Sequence, residues 1–146
     1  MSDATMTTVR AATPDDAPAI AALLTAEGYP AGASDIVERL AAWDDGRSAV
    51  LVATAKGEVV AFVAVHVMPR FEHADRIARV LALVVDEGVR ARGYGRQLME
   101  AAERHAREAG CAFIEVTAGW HRPDALQLYE SVGYEQGVAV YLRRRL

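Results

Sequence analysis

Two stretches of this 146-residue chain set residue types that can hold ligands or move protons at fixed spacing. The first is Arg90-Ala91-Arg92-Gly93-Tyr94-Gly95, which follows the apolar run Val80 to Val85 and a short acidic turn. It opens the longest helical pattern of the chain, Arg96 to Ala109. The first N–H groups of a helix have no partner within it, and flanking arginines add positive charge, so this loop wants an anion. Three readings compete for the glycines. A dinucleotide fingerprint needs a third glycine where Leu98 stands, and an acidic residue ending the next strand, whereas Glu115 lies inside that strand. A nucleotide-hydrolase phosphate loop needs Gly-Lys-Ser/Thr, which is absent. A glycine turn that only starts a helix needs nothing further. The second stretch is Pro123-Asp124-Ala125-Leu126-Gln127-Leu128-Tyr129-Glu130-Ser131-Val132-Gly133-Tyr134, a short helical segment carrying a phenol at Tyr129.

The elements that must position these stretches are legible in outline. Thr7 to Ala11 can form a first strand. Thr13-Pro14-Asp15-Asp16 starts a helix, with Thr13 as cap, Pro14 at the first position and Asp16 in the positive first turn. Ile20, Leu23 and Leu24 give that helix an apolar face, and Gly28 ends it. Ser34 is expected to cap a second helix bearing Ile36, Val37 and Leu40, closed by Asp44-Asp45-Gly46. Ala49 to Ala55 and Val59 to Met68 read as an antiparallel hairpin about Lys56-Gly57-Glu58. Arg79 to Val85 is a further strand, apolar enough to be covered on both faces. Leu98, Ala102, His105 and Ala109 form the buried stripe of the helix after the glycines, with Met99 and Ala106 beside it. Ala112 to Thr117 is a fifth strand, Pro123 to about Val132 a last helix, and Val138 to Leu142 a final strand. The order β-α-α-β-β-β-α-β-α-β predicts an α/β fold with a mixed, mostly antiparallel sheet flanked by helices.

Composition narrows the classes. The chain is 52% apolar and 25% charged, ordinary for a globular protein, and its length fits a single domain over residues 1–146 with a core of about 7–142. A net charge of −4 argues against general nucleic-acid binding. The single cysteine, Cys111, excludes an internal disulfide and a multi-cysteine metal site, and is expected as a small buried apolar side chain. No apolar run approaches the ~20 residues of a membrane span, and no secretory signal is visible, so the expected compartment is the cytoplasm. No metal is expected.

The apolar strand with Arg90-x-x-Gly93-x-Gly95, taken together with Ala125-x-x-Leu128-Tyr129-Glu130-x-x-Gly133-Tyr134, resembles the GNAT-type N-acetyltransferase superfamily. The resemblance runs over about residues 7 to 142, because the order of elements agrees as well as the two motifs. It implies acetyl-CoA as cosubstrate. Backbone N–H groups of Arg90, Ala91, Arg92, Gly93, Tyr94, Gly95 and Arg96 would hold its pyrophosphate. The main chain of Leu83, Val84 and Val85 would pair with the pantetheine arm like an added strand, and the Leu83 N–H would face the thioester carbonyl as oxyanion donor. Tyr129 would protonate the departing thiolate; a phenol of pKa ~10 still holds its proton at pH 7.

The acceptor side is less determined. An alkylammonium of pKa ~10.4 must lose a proton before it can attack. Many relatives carry a glutamate on the fourth strand for this, but here the strand reads Arg79-Val80-Leu81-Ala82-Leu83. The substitutes are His66, Glu72, His73, Glu115 and His121, and the choice among them stays open. Arg122 stands where many relatives have asparagine, and Tyr29-Pro30 lies where the family shapes its acceptor pocket. Trp43 and Trp120 are expected to be packing anchors. The expected function is acetyl transfer from acetyl-CoA to a primary amine of a small molecule or peptide by direct attack. A non-catalytic acyl-CoA-binding or sensing module is the rival, and a nucleotide-binding domain a third reading. Exposed sheet surface could support a homodimer.

Overall fold

The computed structural model describes residues 7–118 and 123–146. Its centre is a five-stranded sheet in the order β1-β2-β3-β4-β5, formed by β1 (Thr7–Ala11), β2 (Ala49–Ala55), β3 (Glu58–Pro69), β4 (Arg76–Val85) and β5 (Cys111–Val116). The first four strands are antiparallel to their neighbours, and β5 runs parallel to β4. The parallel pair needs a crossover, which α3 (Tyr94–Glu108) supplies. Helices α1 (Ala17–Ala26) and α2 (Ala33–Ala42) fill the link from β1 to β2, and α4 (Pro123–Ser131) follows β5.

Local chemistry accounts for the starts and stops. A 3-10 turn over Pro14–Asp16 leads into α1, and the Asp16 carboxylate takes the Thr13 N–H at 2.8 Å and the Arg10 guanidinium at 2.8 and 2.9 Å. Helix α2 differs from expectation. Gly32, not Ser34, is its cap residue, and Asp35 reaches back to accept the Gly32 N–H at 2.9 Å. The β2–β3 turn holds Lys56 at φ 53° and Gly57 at φ 81°, the paired positive φ of a tight hairpin turn.

Two cores sandwich the sheet. On one face α3 packs Leu98, Met99, Ala102 and Ala106 over Val63, Val65, Val67, Ala78 and Val80. On the other, α1 and α2 pack Ile20, Leu23 and Ile36 over Val52, Phe62 and Val84. The expectation that β4 is covered on both faces holds at Val80 and Val84 and only in part elsewhere: Arg79, Ala82, Leu83 and Val85 are half-buried, and Leu81 is 57% exposed. There the register with β3 shifts by one residue, since Ala64 faces Ala82 and Val65 faces Val80, so Leu81 is the extra residue of a bulge.

The expected final strand, Val138–Leu142, is not formed. The segment has no regular secondary structure and leaves Val138, Val140, Tyr141 and Leu142 exposed. Alternating β-branched and aromatic residues suit a pleated surface, but without a ladder partner they make no strand. The observed order is therefore β-α-α-β-β-β-α-β-α. None of the helices among the described residues is long and apolar enough to cross a membrane.

Candidate active site

The glycine loop is a strained backbone leading into a helix start. Asp86 begins a 3-10 turn over Glu87–Val89 by accepting the Gly88 N–H at 3.2 Å. Ala91 then sits at φ 65° and Gly93 at φ 90°, both left-handed, and Gly93 caps α3. A left-handed conformation is readily available to glycine and unfavourable for alanine, so the loop stores strain at Ala91. The Gln97 N–H donates to Gly93 O at 3.0 Å, so Tyr94, Gly95 and Arg96 present N–H groups that the helix itself does not use. Arg92 and Arg96 are exposed beside them. Arg90 folds back along the sheet edge, donating from Nε to Val85 O at 3.3 Å and forming an ion pair with Glu27, the residue that follows α1. Tyr94 and Gly95 serve packing too: the Tyr94 side chain is buried, and a Cβ on Gly95 would stand 2.9 Å from Leu128 of α4.

The strand before the loop opens on one side. Strand β3 follows β4 as far as Val85, whereas β5 pairs with β4 only from Arg76 to Val80. From the bulge at Leu81 onward, the edge of β4 away from β3 has no strand along it among the described residues. Leu83 and Val85 turn their main-chain groups to this open edge, whereas Val84 turns toward β3, and the edge runs directly into the glycine loop.

Tyr129 enters from α4. Its ring is 8% exposed within the α3-side core, with its centroid 6.1 Å from that of Tyr134. Because Leu128 stands against Gly95, α4 is seated at the glycine-loop end of α3. Tyr134 plays a different part. Its hydroxyl donates to Glu103 at 3.0 Å, and burial together with the Glu103 charge pushes its ionisation far above the usual phenol range. The Cys111 thiol is also pushed up by burial, the opposite of an activated thiolate.

The face of β4 toward α2 carries the candidate bases. His66 of β3 stands opposite Arg79 of β4, and Arg79 opposite Glu115 of β5, so two of the sequence-selected candidate bases lie in one row across the sheet with Arg79 between them. Arg79 Nε donates to Glu115 Oε1 at 2.8 Å, which commits that carboxylate to an ion pair. His66 lies in a cleft of about 210 Å³ lined by Ala42, Trp43, Asp45, Ser48 and Leu81. The Trp43 ring meets it edge-on at 5.9 Å. Asp45 and Ser48 were not singled out by sequence. Ser48 Oγ lies 2.8 Å from Asp45 Oδ2 and 2.9 Å from His66 Nδ1. Asp45 also accepts the Arg47 and Ser48 N–H groups, and these bonds hold its carboxyl down to about 2. Glu72 and His73 are exposed in the β3–β4 loop, apart from this row. His121, Trp120 and Arg122 fall outside the described residues. A second cleft, about 250 Å³, lies between α1 and the end of β4 beside Glu27, Asp86 and Arg90, and has no histidine in its lining.

A mostly antiparallel sheet that opens beside a helix-starting glycine loop is an arrangement found in an acetyltransferase family. The acetyltransferase (GNAT) family model matches residues 17–134, and the chain belongs to that family. Over 85 residues, 58% of this chain, it is 35% identical to an aminoalkylphosphonate N-acetyltransferase of Salmonella typhimurium. That match spans 55% of the relative, so the chain covers about half the length of the curated protein it resembles. Among solved structures, a candidate acetyltransferase from Agrobacterium tumefaciens superposes with a TM-score of 0.84 at 27% identity, covering 94% of this chain and 99% of that one. A transcriptional regulator from Bacillus halodurans gives the same TM-score at 24% identity, covering 96% and 99%, and shows the fold alone.

Proposed function

We infer that the chain transfers an acetyl group from acetyl-CoA to the primary amine of a small molecule by direct attack. The observation that carries this is the open edge of β4 running into the glycine loop. Coenzyme A has a pyrophosphate and a long arm with two amides, and it supplies a thioester carbonyl as the electrophile. The N–H groups of Tyr94, Gly95 and Arg96, with Arg92 beside them, suit the pyrophosphate, and the outward main-chain groups of Leu83 with the Val85 N–H suit the amides. The two needs meet on one continuous stretch of chain.

In this reading Leu83 offers its N–H to the carbonyl oxygen as negative charge develops there. Tyr129 gives its phenolic proton to the leaving sulfur. The raised Cys111 thiol and its place at the start of β5, opposite Arg76, support direct attack over an acyl-enzyme. The relative named an N-acetyltransferase favours catalysis over a sensing module. Its named substrate, a small aminoalkylphosphonate, favours a small amine over a peptide.

The test is release of CoA from acetyl-CoA in the presence of aminoalkylphosphonates, other small amines, amino acids and peptides. Turnover with at least one small amine is expected. Tight CoA binding with no turnover across the panel would support the sensing module instead.

A further inference from the structure

We propose that Ser48, anchored by Asp45, fixes His66 as the tautomer protonated on Nδ1 and thereby makes His66 Nε2 the base that deprotonates the acceptor amine. This deepens the transferase reading above and rests on it for the identity of the reaction.

Donors and acceptors around Ser48 can be counted. A serine hydroxyl has one proton to donate and two lone pairs to accept with. Ser48 Oγ has three neighbours: Asp45 Oδ2 at 2.8 Å, the Val67 N–H at 3.1 Å and His66 Nδ1 at 2.9 Å. A backbone N–H can only donate, so Val67 takes one lone pair. Asp45 is held ionised by the Arg47 and Ser48 N–H groups at 2.9 and 2.6 Å, and an ionised carboxylate can only accept. The hydroxyl proton therefore goes to Asp45. Only a lone pair remains for His66, so Nδ1 carries a proton, and in the neutral ring Nε2 carries the free electron pair.

The place suits a base. The cleft that holds His66 is also lined by Leu81, the bulge residue of β4. Two residues further along the strand, about 7 Å at strand rise, is Leu83. The other charged groups around the ring are accounted for: Asp45 acts through Ser48 from the α2–β2 connection, and Arg79, the cross-strand neighbour on β4, is paired with Glu115 of β5. Glu115, the other candidate base among the described residues of this row, is thus already held by Arg79.

Protons and electron pairs balance in the step. His66 Nε2 takes one proton from the ammonium group of the acceptor. The freed lone pair forms the C–N bond to the thioester carbonyl, and the C–S bond breaks with its electron pair on sulfur. Tyr129 supplies the proton that sulfur takes up, and the proton shed by the new amide nitrogen restores Tyr129 through solvent. His66 returns its proton to water, so one proton is released per turnover. Asp45 and Ser48 are positioning residues in this scheme.

Nitrogen-15 NMR of the imidazoles tests the assignment without any substrate. Wild-type protein should show His66 protonated on Nδ1, Ser48→Ala should move it toward Nε2, and Ser48→Thr, which keeps a hydroxyl, should restore Nδ1. An Nε2-protonated ring in the wild type, or no change in Ser48→Ala, overturns the relay. In turnover, His66→Gln should lower kcat by about 10²-fold or more with CoA affinity unchanged, and should abolish the acidic limb of its pH profile. Full single-turnover activity in His66→Gln, against an active wild type, overturns the base assignment and leaves the transferase reading standing. Absence of turnover in the wild type overturns the transferase reading and the base role with it.

Discussion

Replacing Gly93 with alanine isolates the backbone of the glycine loop. Gly93 sits at φ 90° and ψ 5°, and a Cβ placed there meets nothing within 4 Å. The penalty is therefore conformational, about 1–2 kcal/mol for an L-residue held in the left-handed region. If the loop keeps its shape, that amount appears as lost stability. If the loop relaxes in the free protein, CoA must restore the shape on binding, and the same energy appears as a loss of affinity of about 5–30-fold. Calorimetric titration with CoA and thermal unfolding together capture both routes. The companion change Ala91→Gly should act in the opposite direction. It removes the strain at φ 65° but frees the unfolded chain, leaving a net gain under about 1 kcal/mol. Wild-type stability together with wild-type CoA affinity in Gly93→Ala would refute the view that this conformation holds the pyrophosphate.

Further expectations follow from the same geometry. Tyr129→Phe should lower kcat by about 10²-fold or more while CoA affinity stays close to wild type; a single-turnover rate equal to wild type would remove the phenol from the mechanism. Asp16→Asn should reduce stability by about 1.5–3 kcal/mol at pH 7, since the carboxylate is nearly buried and receives the Arg10 fork and the Thr13 N–H. The Arg10 hydrogen bonds, outweighing burial, lower the Asp16 pKa in the folded state, so this stability is present above the unfolded pKa of ~3.9 and is lost as pH falls through the folded value. Urea midpoints of wild type and variant should therefore converge in acid, and a gap that widens there would contradict the assignment. Leu98→Ala, at a fully buried position under the crossover helix, should cost about 2–5 kcal/mol in chemical denaturation.

The glycine loop proposed to hold the cofactor was legible in the sequence because its signals are local. Glycine spacing, the arginines and the helix start all lie within seven residues, and the structure puts Gly93 in the backbone conformation that only such a residue adopts easily. The Asp45–Ser48–His66 cluster proposed for the acceptor side was not legible, because it depends on register. Counting back from the Lys56-Gly57 turn without interruption pairs Ser48 with Val65, whose side chain belongs to the α3 face. The ladder instead slips at Val60, since Thr54 faces Val59 but Ala53 faces Ala61. From there Ala49 faces Val65, and Ser48 comes opposite His66. A one-residue slip exchanges the two faces of a strand, and nothing in the valine-rich run announces it. The expectation at Val138–Leu142 failed for a related reason: propensity describes the segment, whereas a strand requires a neighbour.

The bulge at Leu81 also means that β4 is read in two phases. Before it, Ala78 and Val80 pack toward α3; after it, Leu83 and Val85 do, while Ala82 and Val84 turn toward α1. Odd-numbered positions therefore admit a charge at Arg79 and exclude one at Leu83 and Val85. A saturation scan of the strand should show its pattern of permitted polar residues change parity at Leu81, and an unbroken alternation would argue against the bulge in solution. Substitutions can adjust either half of β4 on its own, and loss of the single codon at position 81 would turn the bulge into plain alternation, with Val80, Leu83 and Val85 still facing α3 and Ala82 and Val84 still facing α1.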